Sequence, residues 1–212
     1  MAGLILLKCE VCGASELKET GKGHFLCEYC GSKYITDENN EVVNRELVKK
    51  DLVDILVEAD KYEKTKDYPK ELQCYQKAIE KAPDNMTILL KLGRAYRRNG
   101  LHDRALSCYD KALEIDSSNA NIYCNIGAVY CFTGQYNKAE EYLKKGINMM
   151  EADPLPYMND IGTCYSNYAI AAGKLGRIKE AKALLKKAES YGYTNGATVR
   201  NVLGIKKGLF SR

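Results

Sequence analysis

Histidine is scarce in this chain of 212 residues, and its two copies, His24 and His102, lie far apart in the sequence. The chain also lacks a phosphate-binding P-loop, a dinucleotide-binding glycine fingerprint and a nucleophile elbow. General acid–base and nucleophilic catalysis need constellations of this kind. We therefore expect that the protein is not an enzyme.

Long apolar runs are missing as well, because no stretch approaches the ~20 residues that span a bilayer. The first residues include four bulky apolar side chains in a row but no basic segment before them, so we expect no secretory signal. A net charge of +4 is too small to indicate nucleic-acid binding by itself. The composition, 45% hydrophobic and 28% charged, is ordinary for a globular protein without a membrane segment.

What the chain does have is nine cysteines, four of which form two C-x-x-C pairs separated by fourteen residues. The paired residues are Cys9, Cys12, Cys27 and Cys30. A glycine follows each pair, and four thiolates close a tetrahedral Zn²⁺ site that has no open position. Two disulfides or free thiols are the alternatives. Between the pairs, the sequence predicts strands at residues 17–20 and 24–26, joined by a turn at Gly21-Lys22-Gly23. Residues 33–35, which follow the second pair, predict a third strand.

Residues 4–36 resemble the zinc ribbon family. The resemblance implies a small β domain in which those four cysteines bind one structural Zn²⁺, whose binding supplies folding energy that so short a segment cannot obtain from apolar burial. Over residues 4–38 six acidic residues stand against four lysines, and a Zn²⁺ with four thiolates adds about two further negative charges. We therefore do not expect the ribbon to bind nucleic acid.

The other five cysteines are Cys74, Cys108, Cys124, Cys131 and Cys164. They are scattered through sequence with helical periodicity. An odd total, a cluster of metal-binding type and no signal indicate a reducing compartment, so we predict a cytoplasmic protein. On this interpretation the five are small, partly buried thiols.

A 34-residue repeat dominates the rest of the chain. Its marks in residues 86–119 are Leu92, Gly93, Tyr96, Gly100, Ala105, Tyr109 and Ala112. One period later the same positions are Ile126, Gly127, Tyr130, Gly134, Ala139, Leu143 and Gly146. One period earlier, several recur as Ala59, Tyr62, Tyr75 and Ala78.

These marks resemble the tetratricopeptide repeat (TPR) family over residues 52–212. The fold class that follows is mostly α: a helical-hairpin solenoid of four repeats with a C-terminal capping helix, preceded by the β zinc ribbon. We predict a ribbon at 1–36, a helical linker at 37–51, repeats at 52–85, 86–119, 120–153 and 162–195, and a capping helix at 197–210. One long helix is expected over about 41–65.

Several positions depart from the family pattern, among them Ser117 and Glu151, where a closing proline is common. Lys66 stands where glycine is usual, Glu71 where a small alanine is usual, and Gly146 in place of alanine. Lys66 and Glu71 fall in the first repeat, where a degenerate terminal unit is expected.

In the TPR family the first helix of each hairpin lines a concave binding surface. Carried over position by position, the residues expected to contact a partner are Lys91, Arg94, Arg97, Asn121, Asn125, Phe132 and Asn167. Arginines pair with carboxylates and asparagine amides with an extended backbone, which favours a peptide of acidic character. The alternative for Arg97 is a solvated helix end.

We therefore predict a non-enzymatic adaptor or scaffold that binds a peptide or protein segment. The alternative function is that of a nucleic-acid-associated regulator, because residues 174–212 carry ten Lys or Arg against two Glu. Solvation of the outer face also explains that excess of positive charge.

Overall fold

The computed structural model describes residues 17–21, 24–26, 33–36, 42–154, 157 and 160–205. Within them the chain forms four short strands followed by nine helices. The chain divides into two compact units, residues 1–81 and 82–212.

A four-stranded antiparallel sheet opens the first unit. Its strands are β1 (Lys18–Gly21), β2 (His24–Leu26), β3 (Lys33–Thr36) and β4 (Val42–Asn44), and they pair in chain order. The predicted hairpin and third strand are thus present, with Phe25 opposite Tyr34 in the β2–β3 register. Tyr34 is almost fully buried.

The predicted start of the long helix at about residue 41 is wrong. Val42 and Val43 instead belong to β4, where Val43 pairs with Ile35 of β3. β-branched residues favour extended backbone, and a neighbouring strand edge offers them hydrogen bonds that a helix start does not. Helix α1 begins only at Arg45, so part of the predicted helical linker belongs to the sheet.

Two helices, α1 (Arg45–Thr65) and α2 (Tyr68–Lys81), complete the first unit as a hairpin. Tyr75 of α2 is buried and donates a hydrogen bond to Asp60 of α1 over 3.2 Å. The turn between the helices places Lys66 at φ 59°, the left-handed conformation that glycine occupies in the later hairpins.

Three further hairpins and a short helix make up the second unit. Their helices are α3 (Met86–Arg98), α4 (His102–Ile115), α5 (Ala120–Phe132), α6 (Tyr136–Ala152), α7 (Ile161–Lys174), α8 (Ile178–Ser190) and α9 (Gly196–Val202). Asn85 and Asn119, one repeat apart, accept hydrogen bonds from the first turns of α3 and α5. Gly100, Gly134 and Gly176 end the first helix of each hairpin at φ between 75° and 81°, as predicted.

Small residues set the spacing of the paired helices. A Cβ added at Gly93 would lie 2.6 Å from Cζ of Tyr109, and one added at Gly127 would lie 2.5 Å from Cγ of Leu143. Both partners are fully buried. The glycines at this repeat position therefore make room for a large side chain of the second helix.

The predicted capping helix is shorter than expected. Helix α9 ends at Val202, and Gly204 then takes φ 65°, while the Ile205 amide donates to the Arg200 carbonyl. This left-handed ending stops the helix before residue 206, and the remainder of the predicted segment lies outside the described residues. Across the described part of the chain, no helix combines the length and apolar character that crossing a bilayer requires.

Candidate functional site

The first helices of the three hairpins in the second unit, α3, α5 and α7, enclose a groove of about 490 Å³. We call it the central groove. It is lined by Thr87, Leu90, Lys91, Arg94, Arg97, Arg98, Asn119, Asn121, Cys124, Asn125, Ala128, Asp160, Thr163, Cys164 and Asn167. Six of the seven side chains predicted to bind a partner are among them, so the structure brings those six together.

One side of the central groove is strongly cationic. Four cations from α3 line it, namely Lys91, Arg94, Arg97 and Arg98, and Asp160 is the one acidic residue among the described lining residues, which gives this lining a net charge of +3. All four cationic side chains are partly buried. They follow one another along one face of α3 at helical spacing.

Arg97 is a partly desolvated cation of this group. Burial lowers the pKa of its guanidinium, and the charges of Arg98 and Arg94 lower it further. Its Nε is buried and has no hydrogen-bond partner among the described residues. Burial also raises the pKa of the adjacent Tyr109 to about 12, so its hydroxyl stays neutral at physiological pH.

Phe132, the seventh predicted contact residue, does not line the central groove. The residue is 64% exposed at the end of α5, and the guanidinium carbon of Arg97 lies 4.9 Å from the centroid of its ring. The ring of His102 lies 6.3 Å away. Phe132 therefore stacks on Arg97 and marks the rim of the central groove.

The opposite side of the groove presents amides. Asn121 and Asn125 lie on α5 and Asn167 on α7. The Asn121 side chain donates to Asp160 Oδ2 over 3.1 Å, which occupies one of its two N–H donors and leaves its carbonyl oxygen as an acceptor. Asp160 was missed by the sequence reasoning. Its place directly before α7, where a capping residue is common, is a signal that could have drawn attention to it.

A disulfide joins α5 and α7 beside these amides. Cys124 and Cys164 are bonded, with their Cα atoms 5.6 Å apart. The prediction that all helical cysteines are free thiols is therefore wrong for this pair. Their separation of 40 residues is not one repeat, because an insertion precedes α7, so the spacing gave no hint that they meet. Cys74, Cys108 and Cys131 are free.

The hairpins that carry the central groove match a known repeat family. A sequence model of the tetratricopeptide repeat matches residues 84–152 and 118–191, which together cover half of the chain. The chain belongs to the tetratricopeptide repeat family. No curated protein gives a significant match.

Solved structures share the TPR fold at low sequence identity. PilW, a type IV pilus biogenesis factor, gives a TM-score of 0.58 at 20% identity over 77% of this chain and 72% of PilW. A thermophilic TPR protein of Thermus thermophilus gives 0.54 at 22% identity, over 69% and 76% of the two chains. The TPR2B domain of yeast Sti1, in complex with pHsp70, gives 0.51 at 17% identity, over 57% and 95%. These similarities concern the fold alone.

Three cations of the basic C-terminal part of this TPR protein, Arg177, Lys187 and Arg200, form ion pairs within the protein. Lys187 lies 2.6 Å from Glu151, Arg200 lies 2.6 Å from Glu189, and Arg177 contacts both Glu140 and Glu180. Each of these cations thus has a carboxylate partner within the protein. The excess of positive charge over residues 174–212 is therefore weaker support for nucleic-acid binding than the sequence suggested.

The four cysteines of the predicted zinc site lie outside the described residues, so their arrangement stays a prediction. In the parts of the chain that the structure does describe, no group of three or more His, Cys, Asp or Glu is placed to bind a metal ion. The strands on either side of the second C-x-x-C pair are described: Leu26 at the end of β2 pairs with Lys33 at the start of β3. In the sequence, Cys27 and Cys30 thus fall between two paired antiparallel strands.

Proposed function

We propose that this TPR protein is a non-enzymatic adaptor that binds an acidic segment of a partner protein in the central groove. One observation supports this most: the described lining of the groove contains four cations of α3 and one acidic residue, Asp160. Carboxylates suit the site because guanidinium groups bind them through paired, charge-assisted hydrogen bonds.

The amide side of the groove suits the backbone of the same ligand. Asn125 and Asn167 present both donors and acceptors toward the groove, and Asn121 retains its carbonyl oxygen. An extended peptide offers alternating N–H and C=O groups to such side chains. We therefore assign carboxylate recognition to α3 and backbone recognition to α5 and α7.

The fold agrees with a role in protein interaction. The TPR2B domain of Sti1 has a similar fold and was solved in complex with pHsp70, and PilW takes part in type IV pilus biogenesis. We extend to this chain only the general role of a TPR array in binding another polypeptide. The acidic character of the ligand rests on the groove's own charges.

A labelled peptide of ten residues containing five glutamates tests the proposal by fluorescence anisotropy. The same peptide with glutamine at those positions should bind at least about tenfold more weakly, because each charge-assisted hydrogen bond contributes about 1.5–3 kcal/mol. Charge reversal in the Arg94→Glu/Arg97→Glu variant should weaken binding of the acidic peptide by at least the same factor.

The matched control is Arg104→Glu/Lys111→Glu, which changes the net charge equally at two exposed positions of α4. It should leave the affinity within about threefold, since exposed charges act only through screened long-range attraction. Equal losses in both double variants, or equal affinity for the two peptides, would refute recognition in the central groove. Mass spectrometry of proteins co-purified with the wild type and absent from the α3 variant would identify the partner.

We further propose that Cys9, Cys12, Cys27 and Cys30 bind one structural Zn²⁺ in a zinc ribbon. The spacing of the two C-x-x-C pairs supports this, as does the hairpin of β2 and β3 on either side of the second pair. A thiolate site of this kind is compatible with a reducing compartment, and we propose that the protein is cytoplasmic.

Elemental analysis of the freshly purified, reduced chain should find about one equivalent of zinc. The Cys27→Ser variant should lose most of it, whereas Cys74→Ser, which changes a buried thiol of α2, should retain it. Less than about half an equivalent in the wild type, or equal zinc in the two variants, would contradict the four-cysteine site.

A further inference from the structure

The disulfide between Cys124 and Cys164 lies in the wall of the central groove. It joins α5 and α7, the first helices of two successive hairpins, by a direct covalent bond. These two helices carry Asn121, Asn125 and Asn167, the amides of the groove. The bond therefore constrains the distance between the elements to which the ligand backbone is assigned.

A third helix provides the room for this bond. A Cβ added at Gly146 of α6 would lie 2.7 Å from Sγ of Cys124. The equivalent positions of the other repeats are Ala78, Ala112 and Ala188, all fully buried. The one repeat that carries a glycine here is the repeat whose first helix places a sulfur against this position. The glycine at residue 146, where the other repeats have alanine, thus leaves space for the sulfur of Cys124.

The two sulfur-bearing residues differ in access. Cys164 is 1% exposed, whereas Cys124 keeps 8% of its surface and, like Cys164, contributes to the groove lining. A reagent that enters the groove therefore reaches Cys124 more readily, and a bound peptide would cover it.

The remaining helical thiols should exchange poorly with the Cys124–Cys164 disulfide. Burial raises the pKa of Cys131 to about 12 and that of Cys108 to about 11, so both are protonated and weakly nucleophilic near neutral pH. Cys131 lies on the same helix as Cys124, with its Sγ 3.6 Å from the carbonyl oxygen of Asn167. Exchange with these thiols would be slow, which leaves the bonded pair as a separate redox site.

We propose that Cys124 and Cys164 form a reversible disulfide whose redox state controls the central groove: oxidation fixes α5 against α7 for ligand binding, and a dithiol reductant releases them. The effect on binding rests on the function proposed above, whereas the redox site itself does not. Preorganised helices lose less conformational freedom when a ligand binds, so the oxidised groove binds more tightly. By linkage, a bound ligand also protects the disulfide from reduction.

A dithiol reduces the Cys124–Cys164 disulfide in two steps of thiol–disulfide exchange. A thiolate of the dithiol attacks Sγ of Cys124, the Cys124–Cys164 bond breaks, and Cys164 leaves as a thiolate that takes up a proton. The second thiol of the reductant, after losing its proton, displaces Cys124 from the mixed disulfide, and Cys124 is protonated in turn. The products are two protein thiols and the oxidised reductant, with two electrons and two protons transferred. Oxidation by a small disulfide is the reverse reaction.

Hydrogen exchange and peptide binding test this on the full chain. After oxidation, peptide mapping should recover the Cys124–Cys164 cross-link. Addition of dithiothreitol should then accelerate amide exchange in α5 and α7 by at least about tenfold, because a constraint on local opening is removed. The acidic ten-residue probe should bind about threefold to tenfold more weakly to the reduced chain, the cost of ordering one or two side chains. Cys131→Ser should respond as the wild type does, and Cys124→Ser should not respond to reductant.

Each outcome has one meaning. Absence of the cross-link after oxidation, or exchange rates in α5 and α7 that ignore dithiothreitol, would overturn the redox site. A faster exchange with equal probe affinity in both states would overturn control of the groove. A faster exchange with no probe binding in either state would refute the function proposed above and leave the redox site standing.

Discussion

Glu140 of α6 connects two repeats through its carboxylate, and its removal should measure how strongly they are coupled. Its two oxygens accept hydrogen bonds from the Arg177 guanidinium, which lies at the start of α8, and Lys144 Nζ lies 2.5 Å from Oε1. The hydroxyl of Tyr168 lies 3.2 Å from the same oxygen. The Arg177 guanidinium above all, with Lys144 and Tyr168 also contributing, lowers the pKa of Glu140 to about 2.

The magnitude follows from linkage. A pKa of about 2 against an ordinary value of 4.5 corresponds to at most about 3.4 kcal/mol. Glu140 is only 15% exposed, but Lys144 and Arg177 are 53% and 37% exposed, so solvent screens part of the attraction. We therefore expect that Glu140→Gln lowers the free energy of unfolding by about 1–2 kcal/mol at pH 7.

The stabilisation by Glu140 should weaken as the pH falls, because the pKa of this carboxyl is depressed in the folded state. The stabilisation is fully present above the unfolded value and is lost as the pH falls from about 4.5 towards 2. Urea unfolding of wild type and variant should give a difference that falls by roughly half between pH 7 and pH 3. Glu141→Gln, at the adjacent exposed position, is the control. A difference below about 0.3 kcal/mol at pH 7, or one that does not change with pH, would refute the reasoning.

Three further substitutions test individual features of the hairpins. Lys66→Gly should stabilise the first unit by about 0.5–1 kcal/mol, because residue 66 adopts φ 59°, a left-handed conformation that glycine takes without steric cost. The control Lys64→Gly, inside α1, should destabilise the unit, and urea unfolding measures both changes. Gly93→Ala should cost about 1–3 kcal/mol through overpacking against the buried Tyr109 ring, and an unchanged melting temperature would contradict the close approach. Asn85→Ala should cost about 1 kcal/mol through loss of the α3 cap, with faster hydrogen exchange confined to the first turn of that helix as the diagnostic.

Local patterns in the sequence predicted the hairpins well. Glycines and alanines one repeat apart mark close helix contacts, and Gly100, Gly134 and Gly176 mark left-handed turns. These are properties of single residues and their immediate neighbours, so a linear pattern records them. The helix ends near residues 41 and 210 were predicted poorly, because strand pairing at Val43 and the turn at Gly204 override helical periodicity.

The sequence by itself determined the repeat and the turns, and its resemblance to the TPR family indicated which side chains of α3, α5 and α7 face the groove. Helical geometry fixes which residues share a face, so the clustering of Arg94 and Arg97 followed from their spacing. Tertiary structure alone decided that Asp160 bonds to Asn121, that Phe132 lies at the rim, and that two cysteines 40 residues apart are joined. Such contacts join residues of different hairpins, so they depend on how successive hairpins pack, and the pattern within one repeat does not encode that packing.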